Sequence, residues 1–426
     1  MSISSLDALP GTVPGAASAE PPRVSTGFIC AYTFASFAAW VALITPIAMT
    51  LALRVQQLDP EGKAGSLALA TSLGALVNML VGPIVGLLSD RTTLRMGRRR
   101  PWMALGIVGG FLGLLIVATA DSIPIVVLGW CVTQAMFAVN GAATSAIMPD
   151  LIPESQRGKL SGLIGMSQQI GVAVGVTITQ LVQGNLFLAF MIPATLGLVG
   201  VITLVVVLPD RPADPKRRPP LDFRALLKSY WVNPRLHPDF GWAWVGRFMI
   251  GMGFAIMANY SVYYLTDKLG YKPEEVPRLM LIGSLLGMFV TTAAAIVGGI
   301  MSDRLGRRKH FVVASAALYA VGMAGIASAN SFEVYLAWSL LTGMAIGMYS
   351  AIDLALVTQV LPNPDNRAKD MGVFNIASVL PQSIAPALAP LFLSIGGPNN
   401  YAALYLVAGS FGLLGALATL PIKSVR

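Results

Sequence analysis

Hydrophobic residues along this chain gather into long runs separated by short polar turns. Twelve such runs lie near 28–54, 64–89, 101–120, 123–148, 158–183, 186–208, 240–265, 275–301, 311–329, 332–358, 368–394 and 400–421. Each holds about 20 residues or more, enough for a helix to cross a hydrocarbon layer of roughly 30 Å. The pattern predicts an all-α membrane protein with twelve transmembrane helices. Residues 1–27 are rich in Ala, Pro, Ser and Gly and lack a basic cluster leading into a short apolar core, so they read as a disordered tail, not a signal peptide. The longest polar interruption, 209–239, separates two six-span bundles, 28–208 and 240–426. Its LDFRALLKSYWV stretch sets Leu221, Leu226 and Trp231 beside Arg224 and Lys228. That spacing fits a short helix along the membrane surface and equally a solvated basic connector.

Composition agrees with the pattern. Of 426 residues, 55% are hydrophobic and only 12% charged, about half the charged share of a soluble domain, and the mean hydropathy is +0.69. A formal charge of +9 would point to nucleic acid in a soluble chain, but here the basic residues sit at the ends of spans. With both termini inside, about 23 of the 29 Lys and Arg residues fall on the cytoplasmic side, as the positive-inside rule requires. The expectation is a multi-pass protein of the cytoplasmic (plasma) membrane, with both termini cytoplasmic, the lipid bilayer as its surroundings and no nucleic-acid partner. Cys30 and Cys131 fall inside apolar runs and support neither a disulfide nor a metal site. His237 and His310 are singletons at loop edges. There is no GxxxxGK[ST] phosphate loop and no nucleophile–base pair. No enzyme, cofactor or metal is expected.

The stretch from Gly82 to Pro101 reads GPIVGLLSDRTTLRMGRRRP: an apolar helix ends in Ser89-Asp90-Arg91, and a basic turn follows. The second half repeats it from Gly298 to Lys309, so that Asp90 matches Asp303 and Gly97 matches Gly306. MPDLIPESQRGK from Met148 likewise matches TQVLPNPDNRAK from Thr358, with Arg157 over Arg367 and Lys159 over Lys369. This doubled loop resembles the signature of the major facilitator superfamily. The GRRRP run further resembles the sucrose-transporter-like and glycoside–pentoside–hexuronide:cation symporter branches. The resemblance implies two pseudo-symmetric six-helix bundles around a solute site near the bilayer midplane.

A carboxylate at the end of span 2 or 8 is well placed to meet the positive end of a helix that starts on the same side. Spans 5 and 11 are expected to start there, at Arg157-Gly158 and Arg367-Ala368. The resemblance implies that Asp90 latches to the start of span 11 and Asp303 to the start of span 5 when the cytoplasmic side is closed. Arg91, Arg98, Arg99, Arg304 and Arg307 would hold the turns. The plainer reading leaves these arginines to set topology alone.

Two charges lie inside spans. Arg247 in span 7 and Asp353 in span 10 are each about two turns from the cytoplasmic end. The resemblance puts spans 1, 4, 7 and 10 around the central cavity, and unpaired charge there is costly. An Arg247–Asp353 pair is therefore expected, either carrying protons through Asp353 or serving as a fixed bridge. Uncharged cavity candidates are Tyr32, Trp40 and Thr45 in span 1, Gln134 and Asn140 in span 4, and Gln168 and Gln169 in span 5. The second half offers Asn259, Tyr260, Tyr263, Tyr349, Asn375 and Gln382. Amides beside aromatic faces suit a polyhydroxylated ligand, and the same residue types also join helices. Gly283 and Gly287 read as a packing pair.

The chain departs from these relatives in two places. Span 2 carries no acid, so sodium coupling is unsupported. Span 4 offers Gln134 and Asn140 where plant-type sucrose carriers have an acid, so sucrose specificity does not carry over. The expected function is a monomeric secondary active transporter, with protons as the coupling ion and a sugar or glycoside as the small-molecule solute. The alternatives are efflux of a small organic compound or drug, and a non-transporting membrane sensor or scaffold.

Overall fold

The computed structural model describes residues 23–182, 184–210, 212, 232–306, 308–360 and 367–422. The long helices are α1 Thr26–Leu58, α2 Lys63–Asp90, α3 Arg100–Thr119, α4 Ile123–Leu151, α5 Glu154–Leu181, α6 Leu186–Val207, α7 Pro238–Lys268, α8 Val276–Leu305, α9 Arg308–Ser328, α10 Phe332–Val360, α11 Arg367–Leu393 and α12 Tyr401–Thr419. Among the described residues these twelve contain segments long and apolar enough to cross a membrane, and there is no strand. The tail before Arg23, the Leu221–Trp231 stretch and loop 361–366 lie outside the described residues.

In the first half α1 packs on α5 and α6, α3 on α4 and α6, and α2 on α4. In the second, α7 packs on α11 and α12, α9 on α10 and α12, and α8 on α10. The halves meet along two seams, α2 against α11 and α5 against α8. Close approach comes from small residues: a Cβ on Gly106 of α3 would stand 2.5 Å from the Asn140 backbone nitrogen of α4. Gly283 and Gly287 do not work this way. A Cβ on Gly287 meets nothing within 4 Å, and one on Gly283 meets only the Leu336 side chain at 3.9 Å.

The helices run up and down, so their turns fall at two ends. The basic end carries the arginine-bearing turns and the first and last described residues; the far end carries the turns near 59–62, 182–185 and 269–275. Three helices start or continue differently from their apolar runs. α1 continues to Leu58 through a widened π turn, Pro46–Thr50, beginning where Pro46 has no N–H to give the preceding turn. This draws Arg54 into the helix, half-buried, where its guanidinium donates to the Ala120 carbonyl at the C-terminal end of α3. α7 likewise runs on to Lys268 through a π turn, Tyr264–Lys268. α5 begins at Glu154, so Arg157 lies inside the helix and not ahead of it. α11 stays helical through Pro381, Pro386 and Pro390. Pro390 has no N–H for the Pro386 carbonyl, and the Tyr260 hydroxyl donates to that oxygen at 3.3 Å.

At the far end, the Ser66 hydroxyl and the Gly62 N–H both donate to Asp59. Together they hold its carboxyl below the usual range. At the basic end, α3 has a carboxylate at its start. Asp210 Oδ2 accepts from the N–H groups of Arg99 at 2.6 Å and Arg100 at 2.9 Å, satisfying donors the helix cannot and matching its dipole. Gly97 lets Asp210 in: its φ is +106°, and a Cβ there would fall 2.2 Å from Asp210 Oδ2. Gly97→Ala is therefore expected to cost about 1–3 kcal/mol through strain and loss of the cap. The check is a lowered unfolding temperature of the purified protein, to which Asp210→Asn should add little in the double variant.

Candidate functional site

Polar groups gather in three places. At the basic end of the first half, Arg99 is buried, 6% exposed. It meets Asp90 at 2.5 Å, Asp150 at 3.0 Å and the Ser89 hydroxyl at 2.5 Å. Arg98 reaches Asp150 as well, at 2.8 Å. Arg99 thus ties the end of α2 to the end of α4, a role beyond orienting the chain. Arg91 caps the C-terminus of α2. Arg157 donates to the carbonyls of Ile152 at 2.9 Å and Pro149 at 3.4 Å, closing the end of α4, and lies 3.7 Å from Glu154.

The second copy is built differently. Asp303 pairs with Arg308 at 3.0 Å, and its side chain is 68% exposed. Gly306 terminates α8 in the left-handed conformation, φ +62°. Arg304 is exposed in the last turn of α8. Arg307 and the Arg367 side chain lie outside the described residues, although Arg367 itself opens α11. Each carboxylate of the expected latch is thus engaged within its own half.

The second place is the buried pair. Arg247 of α7 meets Asp353 of α10 at 3.1 Å. Tyr349, one turn earlier on α10, donates its hydroxyl to the other carboxylate oxygen at 2.9 Å. Arg247 has independent supports from α11: its Nε donates to the Ser378 hydroxyl at 2.5 Å, and its guanidinium lies 4.8 Å from the Phe374 ring centre. Asp353 is 8% exposed. Among the described residues it is the one acid more than a turn from either end of its helix.

The third place is the far end, where the halves are joined. Lys63 of α2 meets Asp267 of α7 at 2.5 Å and lies 5.0 Å from the Tyr263 ring centre. Tyr401 of α12 donates to the other Asp267 oxygen at 2.6 Å. The pair is mostly shielded from water, so it is screened less than exposed pairs worth about 0.2–1 kcal/mol. Tyr263 donates to the Ala52 carbonyl at 3.0 Å and Tyr260 to Ala64 at 3.2 Å. Both rings are fully buried. Three contacts at this end, Lys63–Asp267, Tyr260–Ala64 and Tyr263–Ala52, cross between the halves.

The remaining candidates scatter. Tyr32 is buried and donates to the Thr144 carbonyl at 2.9 Å, tying α1 to α4. Asn78 of α2 donates to the Gln134 side chain at 3.2 Å. Asn140 is buried within reach of Thr144 at 3.4 Å, and Asn259 donates back to Ala255 of its own helix at 2.7 Å. Thr45 does the same to Val41. Trp40 keeps a buried Nε1 without a partner. Gln168, Gln169, Asn375 and Gln382 are exposed on α5 and α11.

Lys63, Asp267, Asn78, Asp150, Asp210 and Ser378 join these sites without having stood out in the sequence pattern. Asp150 carried a signal, an acid at a span end facing a three-arginine turn. Asp370 carried one too, an acid in the first turn of α11, where the helix dipole favours it; it is buried, 4% exposed. Lys63 and Asp267 carried none, being 204 residues apart.

Membrane-length helices in two packed sets thus enclose a buried charge pair, and among the described residues no group of three or more metal-ligating side chains comes together. The family model for the Major Facilitator Superfamily matches residues 26–295 and 286–425, and the chain belongs to that family. It is a multi-pass membrane protein that carries small-molecule solutes. Macrolide efflux protein A of Streptococcus pyogenes is 22% identical over 91% of this chain and 94% of its own. The proline/betaine transporter of Escherichia coli (strain K12) is 23% identical over 76% of this chain and 68% of its own. Among solved structures, a nucleoside transporter superposes with a TM-score of 0.72 at 14% identity, over 93% of this chain and 98% of that one. A D-xylose–proton symporter gives 0.68 at 17% identity, over 94% and 98%.

Removing one member of the buried pair should cost about 3–5 kcal/mol by stranding the other charge. Arg247→Met and Asp353→Leu are each expected to lower the unfolding temperature sharply. The double variant should recover most of the loss, because it leaves no buried charge.

Proposed function

We propose that this chain is a proton-coupled secondary transporter that works by alternating access, with Asp353 as the group that takes up and releases the proton. The supporting observation is that Arg247 is held from two sides. Ser378 and Phe374 hold the guanidinium in position when Asp353 is neutral, so the pair can open and re-form without Arg247 losing its place. A sugar or glycoside taken up across the cytoplasmic membrane is the solute we favour, on the signature loop and the amide and aromatic side chains along the cavity helices. The basic end is then cytoplasmic, and the joined far end makes this an inward-facing state.

In the state closed at the basic end, Asp90 would engage the start of α11 and Asp303 the start of α5. Glycines support this movement. A Cβ at Gly82 or Gly86 of α2, Gly158, Gly162 or Gly165 of α5, or Gly372 of α11 would meet nothing within 4 Å. A mid-helix glycine costs about 0.5–1 kcal/mol relative to alanine, a cost these faces recover if they receive the opposite half on closure. Tyr260 and Tyr263 then belong to the far-end gate, with both hydroxyls engaged by carbonyls.

A second reading, efflux of a small organic compound, has its support in the macrolide exporter that matches nearly the whole chain. Whole-cell accumulation of labelled disaccharides with and without an uncoupler separates the two: import falls on uncoupling, and export-driven exclusion is relieved by it.

In proteoliposomes, Asp353→Asn is expected to abolish uptake driven by a pH gradient while solute exchange at equal pH persists. An unchanged response to the gradient removes Asp353 as the carrier. Gly162→Leu should leave the unfolding temperature within about 0.5 kcal/mol of equivalent stability and yet cut transport at least tenfold, because it blocks closure at the basic end.

A further inference from the structure

The α5–α8 seam parts toward the basic end. From Gly158 to Ile170 nearly every turn of α5 has exposed residues, whereas from Gly171 to Gln180 none is fully exposed. Where it parts, a cavity of about 580 Å³ is walled by α5, α8 and α10. Its polar lining includes Gln168, Gln169, Thr292 and Ser350, and its apolar lining includes Met166 and Phe289. Gln168 lies 14 residues into a 28-residue helix, about 21 Å from its start at 1.5 Å per residue. Both amides thus sit near mid-depth.

Phe289 is 67% exposed and belongs to the apolar outer face of α8, with Leu285, Leu286 and Ile296. One rim of the cavity therefore borders lipid. Gln168 and Gln169 are exposed in this space, and an amide away from bulk water is costly without a partner, so both can take a hydrogen-bonding occupant. No charged side chain lines the space, which favours a neutral one.

We propose that the α5–α8 cavity binds a neutral amphiphile from the bilayer, with its hydroxylated head on Gln168 and Gln169 and its chain against Phe289. The site is separate from the Arg247–Asp353 pair and does not rest on the proton-coupled reading.

The test uses the full chain in lipid nanodiscs with a monoacylglycerol carrying a diazirine in its acyl chain, followed by peptide mapping after irradiation. Saturable labelling of the α5 and α8 peptides is expected, displaced by unlabelled monoacylglycerol and not by glycerol or a disaccharide. Gln168→Ala and Gln169→Ala should each weaken labelling about two- to tenfold, the range for one lost hydrogen bond. Gly165→Phe, which fills open space in the cavity, should abolish it at unchanged unfolding temperature. Asp353→Asn should label as the parent does, so failure of the coupling reading leaves this outcome intact. Unsaturable labelling spread over all lipid-facing helices overturns the proposal, as does displacement by glycerol or a disaccharide, or undiminished labelling of Gly165→Phe.

Discussion

Hydrocarbon gives a polar group nothing to bond to, and much of this chain's arrangement follows from how buried and half-buried polar groups find partners in other helices. Arg247 reaches α10 and α11, Arg99 joins α2 to α4, and Arg54 closes the end of α3. Tyr260 answers a carbonyl that a proline has left without its N–H. Each bond also fixes which helices are neighbours. Apolar surface alone would not, because lipid tails are as apolar as the side chains.

The two halves share a fold and differ in chemistry. Asp150 anchors two arginines in the first half. The repeat puts Val360 at the matching position, and Val360 is buried. Arg308 pairs with Asp303, whose side chain stays largely exposed. The first half ties its basic turn with two carboxylates, and the second half carries the buried acids, Asp353 and Asp370.

Opposite ends of the bundle are in opposite conditions. At the far end Lys63, Asp267, Tyr260 and Tyr263 join the halves through side chains that reach backbone or charge. At the basic end the glycines of α2, α5 and α11 face open space. The bundle is thus fastened by side chains at the far end and has open space beside these glycines at the basic end.

The sequence alone determined what depends on length, composition and repetition. Twelve apolar runs, the basic turns at Asp90 and Asp303 and the internal match were legible because helix-length hydrophobicity and loop charge are local properties. The Arg247–Asp353 contact was also within reach, since two charges at one depth in an apolar bundle have few other partners. Only the tertiary structure decided the Lys63–Asp267 bond, the Asp210 cap on α3 and the burial of Tyr260 and Tyr263 against carbonyls. A backbone carbonyl is present at every residue, so no sequence pattern says which one a distant hydroxyl will meet. That choice is made by the relative placement of two helical bodies.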